Sequence, residues 1–336
     1  MDLSPDGRPE PALRLLDLDD FAAASPGDVA TVARHLGRWP TPILATALQP
    51  VSGHLGPLLS AATCTVVGPD AATGDRRTVL VEDPVAARER LRAAVEHAPQ
   101  TATALDQLLR QTELLPVLGG LAAEAATYSM LLTGQEFRAW LADRTVVAPA
   151  TPTGRPLVAL RREGDALHVQ LDHPERRNAL SFALRDELYD ALELAHLDGT
   201  ITRVHITGAG PGFCSGGDLA EFGTATDVVA AYLVRVLRGP WRLLHHLSDK
   251  VHVHVHGASV GAGLEVAAFA GHVSATPDAT FRLPEVGMGL VPGAGGTVSV
   301  VRRIGRWRAA WMMLDGGDVG AAQARAWGLV DEVVDP

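Results

Sequence analysis

The sequence predicts an α/β protein, with a mainly α-helical N-terminal domain over residues 1–150 and an α/β domain over residues 155–336. Hydrophobic residues make up 47% of the 336 residues and aromatic residues only 5%, so the core must be largely aliphatic. Apolar residues recur at helical spacing in the first part, whereas strand-like and helix-like segments alternate in the second. The length allows two ordinary domains.

Four helices are predicted in the N-terminal domain. Asp83 before Pro84 marks one helix start, because Asp caps free amides and Pro suits the first turn. The others are predicted in ALDQLLRQ, GGLAAEAATYSMLL and QEFRAWLADR, and the pieces TCTVV and RTVLV could pair as a hairpin. The domain has no recognisable chemical motif, which favours a packing or oligomerisation module of unknown role. VVAPATPTGRP is predicted to be the linker.

The second domain shows the order typical of βαβ units. ALHVQLDHP predicts a strand, NALSFALRDELYDALELA a helix, and TRVHITGAGPGF a strand that ends in a Gly-rich loop. The pattern repeats with DKVHVHVHG as a strand, GAGLEVAAFAG as a helix and HVSATPDATFRLPE as strand, turn and strand. We therefore expect a sheet that is mostly buried between helices.

Charge and composition exclude several classes of function. The net charge of −10 opposes nucleic-acid binding, because no long-range positive field would attract phosphates. Cys64 and Cys214 form no disulfide framework or metal-binding spacing, which favours a reducing cytoplasm. The start MDLSPDGRPEPALRLL lacks the basic and apolar regions of a signal peptide, and no run of about 18 apolar residues predicts a membrane span. We expect a soluble cytoplasmic protein.

Two glycine-rich loops are candidate anion sites. GFCSGGDL, residues 212–219, follows a strand and lets a ligand carbonyl approach the backbone closely. GASVGAGLEVA, residues 257–267, opens a helix whose first amides have no intrahelical partner. Taken alone, either loop could be an ordinary Gly-assisted turn.

With the following string TFRLPEVGMGLVPGAGGT, these loops resemble the enoyl-CoA hydratase/isomerase (crotonase) family in order and wording. The resemblance extends from about Leu157 to Val334. It implies a spiral of repeated ββα units, an acyl-CoA substrate, no cofactor beyond the coenzyme A of that substrate, and a homotrimer or hexamer. Acyl carrier protein could replace coenzyme A.

Family members continue with a helical tail that covers the acyl-CoA site. This sequence stops at Pro336, just after GLVDEVV, so we expect the domain to lack that tail. The N-terminal helical segment, or a neighbouring subunit, is then expected to cover the site.

The resemblance also implies the site residues. The backbone N–H groups of Ser215 and Ala262 would form an oxyanion hole for the thioester oxygen. Glu265 and Glu285 match the two catalytic glutamates of the hydratases, Glu265 activating water and Glu285 delivering a proton to the α-carbon. Two carboxyls at one site perturb each other, so one can stay protonated while the other is ionised.

Coenzyme A needs cations for its phosphates. HPERRNALS supplies Arg176 and Arg177 at the junction where family members bring the adenosine end, although arginines in a loop are commonly solvated. The full set of residues that the resemblance places at coenzyme A is Arg176, Arg177, Ala179, Leu180, Gly217 and Asp218.

Other reactive side chains are given structural interpretations. His252, His254 and His256 alternate on one strand, a spacing open to metal ligands, but no acidic or Cys partner is evident and we predict no metal. Cys214 has no nearby His and acid in a recognisable order, so its small size sufficiently explains it.

Three functions follow. The leading prediction is an enoyl-CoA hydratase/isomerase-like lyase, because both glutamates are retained. The second is another crotonase reaction: thioester hydrolysis, decarboxylation, C–C cleavage or cofactor-free oxygenation of an aryl-acetyl-CoA. The third is a non-catalytic scaffold subunit that binds acyl-CoA or acyl carrier protein.

Overall fold

The structure is a computed structural model that describes residues 2–149 and 154–335. Its buried apolar side chains form two clusters. The smaller cluster draws on residues 16–71, and the larger runs from Leu44 to Val330 and so includes both halves of the chain. The predicted linker covers residues 146–156, and its residues 150–153 lie outside the described ranges.

The N-terminal half begins with short strands. They are β1 (Asp2–Leu3), β2 (Pro9–Glu10), β3 (Arg14–Asp17), β4 (Ile43–Ala47), β5 (Cys64–Val67) and β6 (Val79–Leu80). β1 and β2 form an antiparallel pair, and β3 to β6 form a parallel sheet in sequence order. Every residue of β4 and β5 is buried, as expected for strands covered on both faces. Helices α1 (Pro26–Leu36) and α2 (Gly56–Ala61) connect β3 to β4 and β4 to β5.

This parallel sheet was not predicted for the N-terminal domain, although most of its residues in regular structure are helical. The predicted hairpin of TCTVV and RTVLV is wrong, because β5 and β6 are parallel, with Val66 opposite Val79. The connecting residues 68–78 have about the minimum length that a crossover between parallel strands needs. Near its end the Asp75 carboxylate accepts the Arg77 backbone N–H at 2.8 Å, in a turn that leads the chain into β6.

All four predicted helices of the N-terminal half are confirmed. They are α3 (Pro84–His97), α4 (Pro99–Thr112), α5 (Val117–Leu131) and α6 (Gln135–Asp143). Asp83 caps α3 as expected, since its carboxylate accepts the Val85 and Ala86 N–H groups at 3.0 and 2.9 Å.

The C-terminal half contains nine strands and seven α-helices within the described ranges. The strands are β7 (Val158–Glu163), β8 (Ala166–Leu171), β9 (Arg203–Gly208), β10 (Val251–Val255), β11 (Ala258–Val260), β12 (His272–Ala275), β13 (Thr280–Arg282), β14 (Val319–Gly320) and β15 (Glu332–Val333). The helices are α7 (Phe182–Leu197), α8 (Val228–Arg238), α9 (Pro240–His246), α10 (Ala262–Ala267), α11 (Gly296–Ile304), α12 (Arg306–Asp315) and α13 (Ala321–Trp327).

These strands form two sheets. The larger has the order β15-β12-β10-β9-β8-β7 and is parallel except where β7 pairs with β8. The smaller has the order β11-β13-β14. The strand, turn and strand predicted in HVSATPDATFRLPE is confirmed, but β12 and β13 belong to different sheets. The chain therefore passes between the two sheets four times, at β10–β11, β11–β12, β12–β13 and β14–β15. The second glycine-rich loop begins at the first of these crossings, whereas the first glycine-rich loop follows β9.

The two halves pack through helices. α5 lies against α8 and α11, α4 lies against α11, and α3 lies against α12. Gly120 permits the close approach of α5 to α11, because a Cβ there would lie 2.9 Å from Val298 Cγ2. The helices of the N-terminal half are therefore part of the larger core.

Arg306 at the start of α12 joins the halves by polar contacts. Its side chain is buried, and its guanidinium donates to the carbonyl oxygens of Ser60 and Ala62, the latter at 3.0 Å, and pairs with Glu113 at 3.0 Å. Substitution of Arg306 by Ala leaves these acceptors without their donor. We expect the free energy of unfolding, measured by urea titration, to fall by about 3 kcal/mol.

Arg302→Ala is the matched control, because Arg302 is exposed and donates one hydrogen bond, to the Leu115 carbonyl at 3.0 Å. We expect it to cost less than about 1 kcal/mol. Equal losses in both variants would contradict a special role for Arg306.

Candidate active site

A cavity of about 470 Å³ lies between the two halves of the chain. Its apolar wall includes Tyr128, Leu132, Phe222, Val234 and Trp241. Tyr128 and Leu132 belong to α5 and its C-terminal end, so the N-terminal half supplies part of the wall. Several polar groups interrupt this wall, and they lie on the two loops predicted from the sequence and on the segments that follow them.

The second glycine-rich loop brings Ala262 to the cavity wall. Gly261 precedes it with φ +47°, and a Cβ there would lie 2.5 Å from Glu285 Oε1. Glycine is therefore required both by the backbone conformation and by the lack of space. Ala262 is the first residue of α10, and a first-turn amide has no acceptor within its own helix. No group of the described residues accepts a hydrogen bond from the Ala262 N–H, which can therefore donate to a ligand oxygen.

In the first glycine-rich loop, the structure contradicts the assignment of the Ser215 N–H to the oxyanion hole. This N–H donates to the Arg177 carbonyl at 3.0 Å, so this amide is already satisfied. Gly217, two residues later, lies on the cavity wall with Ala262. The residues on either side of Gly217 are hydrogen-bonded to Leu180. The Leu180 N–H donates to the Gly216 carbonyl oxygen at 2.7 Å, and the Leu180 carbonyl accepts the Asp218 N–H at 3.3 Å. In this parallel bridge the Gly217 amide points away from Leu180.

Glu265 lies on α10, one turn after Ala262, and lines the cavity with 2% of its surface exposed. Its Oε2 accepts the backbone N–H groups of Ala294 and Gly296 at 2.7 and 2.8 Å. Burial raises the pKa of Glu265 to about 7, although these amides oppose the rise by stabilising the carboxylate. Glu265 is thus poised to exchange a proton near neutral pH.

Glu285 faces the same cavity from the turn after β13. Its Oε2 is buried and has no hydrogen-bond partner among the described residues. Burial, and then the charge of Glu265, hold the pKa of Glu285 well above its usual range. The two carboxyls therefore differ in the way an acid and base pair requires, with Glu265 ionising first.

The sequence model of the enoyl-CoA hydratase/isomerase family matches residues 161–336, which is more than half of the chain. The chain belongs to this family. The crotonase resemblance is thereby confirmed, and with it the crotonase-type α/β fold of the C-terminal half.

Curated relatives agree with this membership. The 2,3-dehydroadipyl-CoA hydratase of Escherichia coli is 37% identical over 172 residues, covering 51% of this chain and 67% of the relative. The E. coli 1,2-epoxyphenylacetyl-CoA isomerase is 34% identical, covering 52% and 68%. The mitochondrial enoyl-CoA hydratase of Pongo abelii is 32% identical, covering 49% and 56%. The match to several relatives thus spans less than two thirds of their length.

Solved structures give the same result. The enoyl-CoA hydratase from Thermoplasma volcanium is 34% identical with a TM-score of 0.50, and the match covers 55% of this chain and 73% of that one. The enoyl-CoA hydratase from Mycobacterium smegmatis is 29% identical with a TM-score of 0.50, covering 54% and 71%. The part of this crotonase chain before the family match contains the N-terminal strands and helices described above.

The residues assigned to coenzyme A separate into two groups. Leu180, Gly217 and Asp218 line the cavity, whereas Arg176, Arg177 and Ala179 lie outside its lining. The Arg176 guanidinium is paired with the buried Asp218 carboxylate at 2.7 Å, so a phosphate would have to compete for it. Arg177 contributes its carbonyl to Ser215 from a left-handed conformation, with φ 52°.

Asn178, also left-handed with φ 53°, is a structural residue that the sequence analysis missed. Its side chain is fully buried, and its amide group donates to the carbonyl oxygens of Ala209, Gly212 and Phe213 at 2.8 to 3.1 Å. These bonds join residues 173–178 to the first glycine-rich loop. The position of the Arg177 carbonyl, and hence the loss of Ser215 as a donor, follows from them.

Glu124 is a second missed residue. It lies on α5 with 2% of its surface exposed, and its carboxylate accepts the Gly295 and Thr297 backbone N–H groups at 2.6 and 2.8 Å. It also accepts the Thr297 hydroxyl at 2.7 Å. The signal in the sequence was an acidic residue alone within the apolar helix GGLAAEAATYSMLL.

The histidines form a row on the larger sheet. His168, His205, His252 and His272 lie opposite one another on β8, β9, β10 and β12, with neighbouring ring centroids 5.2 to 5.5 Å apart. No group of three or more metal-ligating side chains is placed to hold an ion in residues 2–149 and 154–335.

Neither cysteine is placed as a nucleophile. Both are buried and unpaired, and burial raises the pKa of the Cys214 thiol to about 11. As regards membranes, none of the helices in the described ranges has the length and apolar character that crossing requires.

Proposed function

We propose that the chain hydrates an enoyl-CoA thioester, or runs the reverse dehydration or a related isomerisation, without a cofactor. The observation that carries this proposal is the convergence on one cavity of two amide-bearing residues, Gly217 and Ala262, and two buried carboxyls, Glu265 and Glu285. The amides would bind the thioester oxygen as it gains negative charge. This pair replaces the Ser215 and Ala262 pair inferred from the sequence.

In the proposed hydration, ionised Glu265 takes a proton from water as the oxygen attacks the β-carbon. The electron pair of the double bond moves toward the thioester carbonyl, and the resulting enolate is held by the two amides. Protonated Glu285 then delivers its proton to the α-carbon, which restores the carbonyl. Water and alkene thus combine with no electron gained or lost. The unpartnered Glu285 Oε2 supports this role, because a buried carboxyl oxygen without a partner is otherwise unfavourable.

The pKa values give a pH dependence. Hydration needs ionised Glu265, so kcat/KM is expected to rise with pH through an apparent pKa of about 7. It also needs protonated Glu285, whose pKa is raised well above the usual value, so the decline is expected only on the alkaline side. The measurement is kcat/KM for crotonyl-CoA hydration between about pH 5.5 and 9.5. Activity already at its plateau at pH 5.5 would contradict the assignment.

A substrate panel tests the reaction type. The protein is incubated with crotonyl-CoA and with aryl and branched enoyl-CoAs, while enoyl absorbance and free thiol are followed. Loss of absorbance without thiol supports hydration, and thiol release supports the alternative of thioester hydrolysis. Binding without turnover would support a scaffold that binds acyl-CoA. The same acyl groups attached to acyl carrier protein test whether the protein acts on that carrier or on coenzyme A.

Arg235 indicates which acyl groups the substrate panel should include. It lines the cavity with its guanidinium 3.9 Å from the centre of the Tyr128 ring and donates to the Ala231 carbonyl at 3.1 Å, and within the described ranges no carboxylate forms an ion pair with it. An acyl group with a distal carboxylate would match this cation within the apolar wall. Since one relative is a 2,3-dehydroadipyl-CoA hydratase, that dicarboxylic thioester joins the panel. The homotrimeric or hexameric assembly and the cytoplasmic location stay predictions.

A further inference from the structure

The loop before α11 and the first two residues of that helix, together called the Gly293–Thr297 loop, are held from two sides by buried carboxylates. The consecutive backbone N–H groups from Ala294 to Thr297 alternate between two acceptors. Ala294 and Gly296 donate to Glu265, whereas Gly295 and Thr297 donate to Glu124. Glu265 comes from the C-terminal half and Glu124 from α5 of the N-terminal half.

The proposed function makes this arrangement relevant to catalysis. We propose that Glu124 is a positioning residue, which fixes the Gly293–Thr297 loop so that the loop amides hold the Glu265 carboxylate in its orientation toward the cavity. Glu124 does not line the cavity and is not assigned a contact with substrate.

The loop needs an acceptor from elsewhere in the chain. Gly295, which precedes the first residue of α11, has no side chain to cap the helix and has φ +99°. The Gly295 amide bonded to Glu124, and the Gly296 amide bonded to Glu265, would be buried without a partner if the carboxylates moved away. Gly293, Gly295 and Gly296 impose little restraint of their own on the backbone.

The loop connects Glu124 to Glu265, so the loss of one contact can displace the other. If Glu124 is shortened, Gly295 and Thr297 lose their acceptor, and the intervening Gly296 amide, bonded to Glu265 Oε2 at 2.8 Å, is free to move. A misplacement of about 1 Å at a catalytic group can cost about 100-fold in rate. The loss is expected mainly in kcat rather than KM, because Glu265 acts on the reacting atoms and only Gly293 and Ala294 of this loop line the cavity.

Glu124 also acts through charge. The titratable or charged groups around it and its loop are Glu265 on α10, Glu285 after β13, Tyr128 on α5 and Arg235 on α8. Burial, and then the charge of Glu265, raise the pKa of Glu124 to about 8. The negative charge of Glu124 contributes in turn to the raised pKa of Glu285.

The test compares Glu124→Ala with Glu124→Gln in the full chain. The Ala variant is expected to lose about 10- to 100-fold in kcat for enoyl-CoA hydration with little change in KM. The Gln variant is expected to recover part of that loss, because its oxygen can accept the Thr297 N–H and hydroxyl, whereas its amide group cannot accept the Gly295 N–H. Since Gln carries no charge, the alkaline limb of its pH profile is expected at lower pH than in the unaltered protein.

Val117→Ala is the matched control. Val117 is a buried residue at the start of the same helix, so this variant weakens the packing of α5 without touching the carboxylate. It is expected to lower stability with normal kcat and an unchanged pH profile. An equal loss of kcat in Val117→Ala and Glu124→Ala would overturn the positioning role, as would wild-type kcat in Glu124→Ala.

A carboxyl NMR titration separates this inference from the proposed function. The ¹³C-labelled Glu285 carboxyl, assigned with a Glu285→Gln variant, is titrated in the unaltered protein and in Glu124→Gln. Its pKa is expected to be lower in Glu124→Gln, because the variant removes a neighbouring negative charge. Identical titration in both proteins would overturn the inference. Absence of turnover by the unaltered protein would instead overturn the proposed function, and the titration still decides the role of Glu124.

Discussion

Substitution of Glu265 or Glu285 by Gln is expected to lower kcat for enoyl-CoA hydration by about 10³-fold, because each change removes one partner of the proposed acid and base pair. In Glu265→Gln the new side chain can keep its oxygen at the Ala294 and Gly296 amides, which both bond to Oε2 in the unaltered protein. Its amide group then occupies the Oε1 position and cannot take a proton from water. The measurement is steady-state hydration of the best thioester from the panel.

Loss of activity in these variants should not reflect unfolding. A buried carboxyl whose pKa is raised in the folded state destabilises that state once the pH exceeds the pKa of the unfolded chain. A neutral Gln removes this penalty at pH 7, so urea titration is expected to show equal or higher stability. Full activity in both variants would contradict the assigned roles.

Glu221→Gln is the matched control for the glutamate variants. Glu221 lines the same cavity, but its carboxylate accepts the Phe182 backbone N–H at 2.8 Å and is given no catalytic role. We expect its kcat to change by less than about 3-fold. A loss as large as that of Glu265→Gln would show that any carboxyl in this cavity has the same effect, and the specific pair would be refuted.

Substitution of Ala262 by Pro is expected to lower kcat by about 10²- to 10³-fold, because proline has no N–H to donate to the thioester oxygen. The position suits proline, since Ala262 is the first residue of α10, where helices accept it. The preceding Gly261 has no Cβ to collide with the proline ring. Pre-steady-state hydration of crotonyl-CoA measures the chemical step directly.

Ala262→Gly is the control for the proline variant, because glycine keeps the N–H and only removes a methyl group. It is expected to stay within about 5-fold of the unaltered protein. The binding of a saturated acyl-CoA should weaken far less than kcat falls in the Pro variant, since the amide is needed most when the oxygen is charged. Near-normal kcat in Ala262→Pro would remove this amide from the mechanism.

The sequence was most informative where chemistry is encoded in short contiguous strings. The two loops, Ala262 and the glutamates at 265 and 285 could be located because each lies in such a string, and the structure brings Ala262 and both glutamates to one cavity. The strands and helices around them were also predicted, since their periodicity is local. Pairing of strands across sheets is not local, so the separation of β12 from β13 could not be predicted.

The error at Ser215 has a physical reason. Which of several consecutive amides faces the cavity depends on the backbone turn at Gly216, where φ is +96°, and on the Arg177 carbonyl, which belongs to a segment far earlier in the chain. A resemblance between short sequence segments contains neither the φ angle of Gly216 nor the position of the Arg177 carbonyl. The N-terminal sheet was missed although the segments of β5 and β6 were identified, because β3 has only 4 residues and β4 is buried throughout, so neither shows a clear alternation.

Glu124 could not be connected to the site by sequence at all. Its acceptor role joins residues that are 171 positions apart, and only the packing of α5 on α11 brings them together. An isolated acidic residue in an apolar helix indicates a buried partner without naming it.

The hydrogen bonds of Glu124 cross the boundary of the family match, so the domain defined by similarity differs from the domain defined by contacts. By similarity to relatives, the chain divides near residue 161, where the family match begins. By energetics it does not divide there, since α5 supplies both a cavity wall and the acceptor for two amides of the α11 loop. A protein trimmed to the family boundary would keep every recognisable motif and lose the framework that aligns them. For chains of this kind, the evolutionary module is smaller than the working unit.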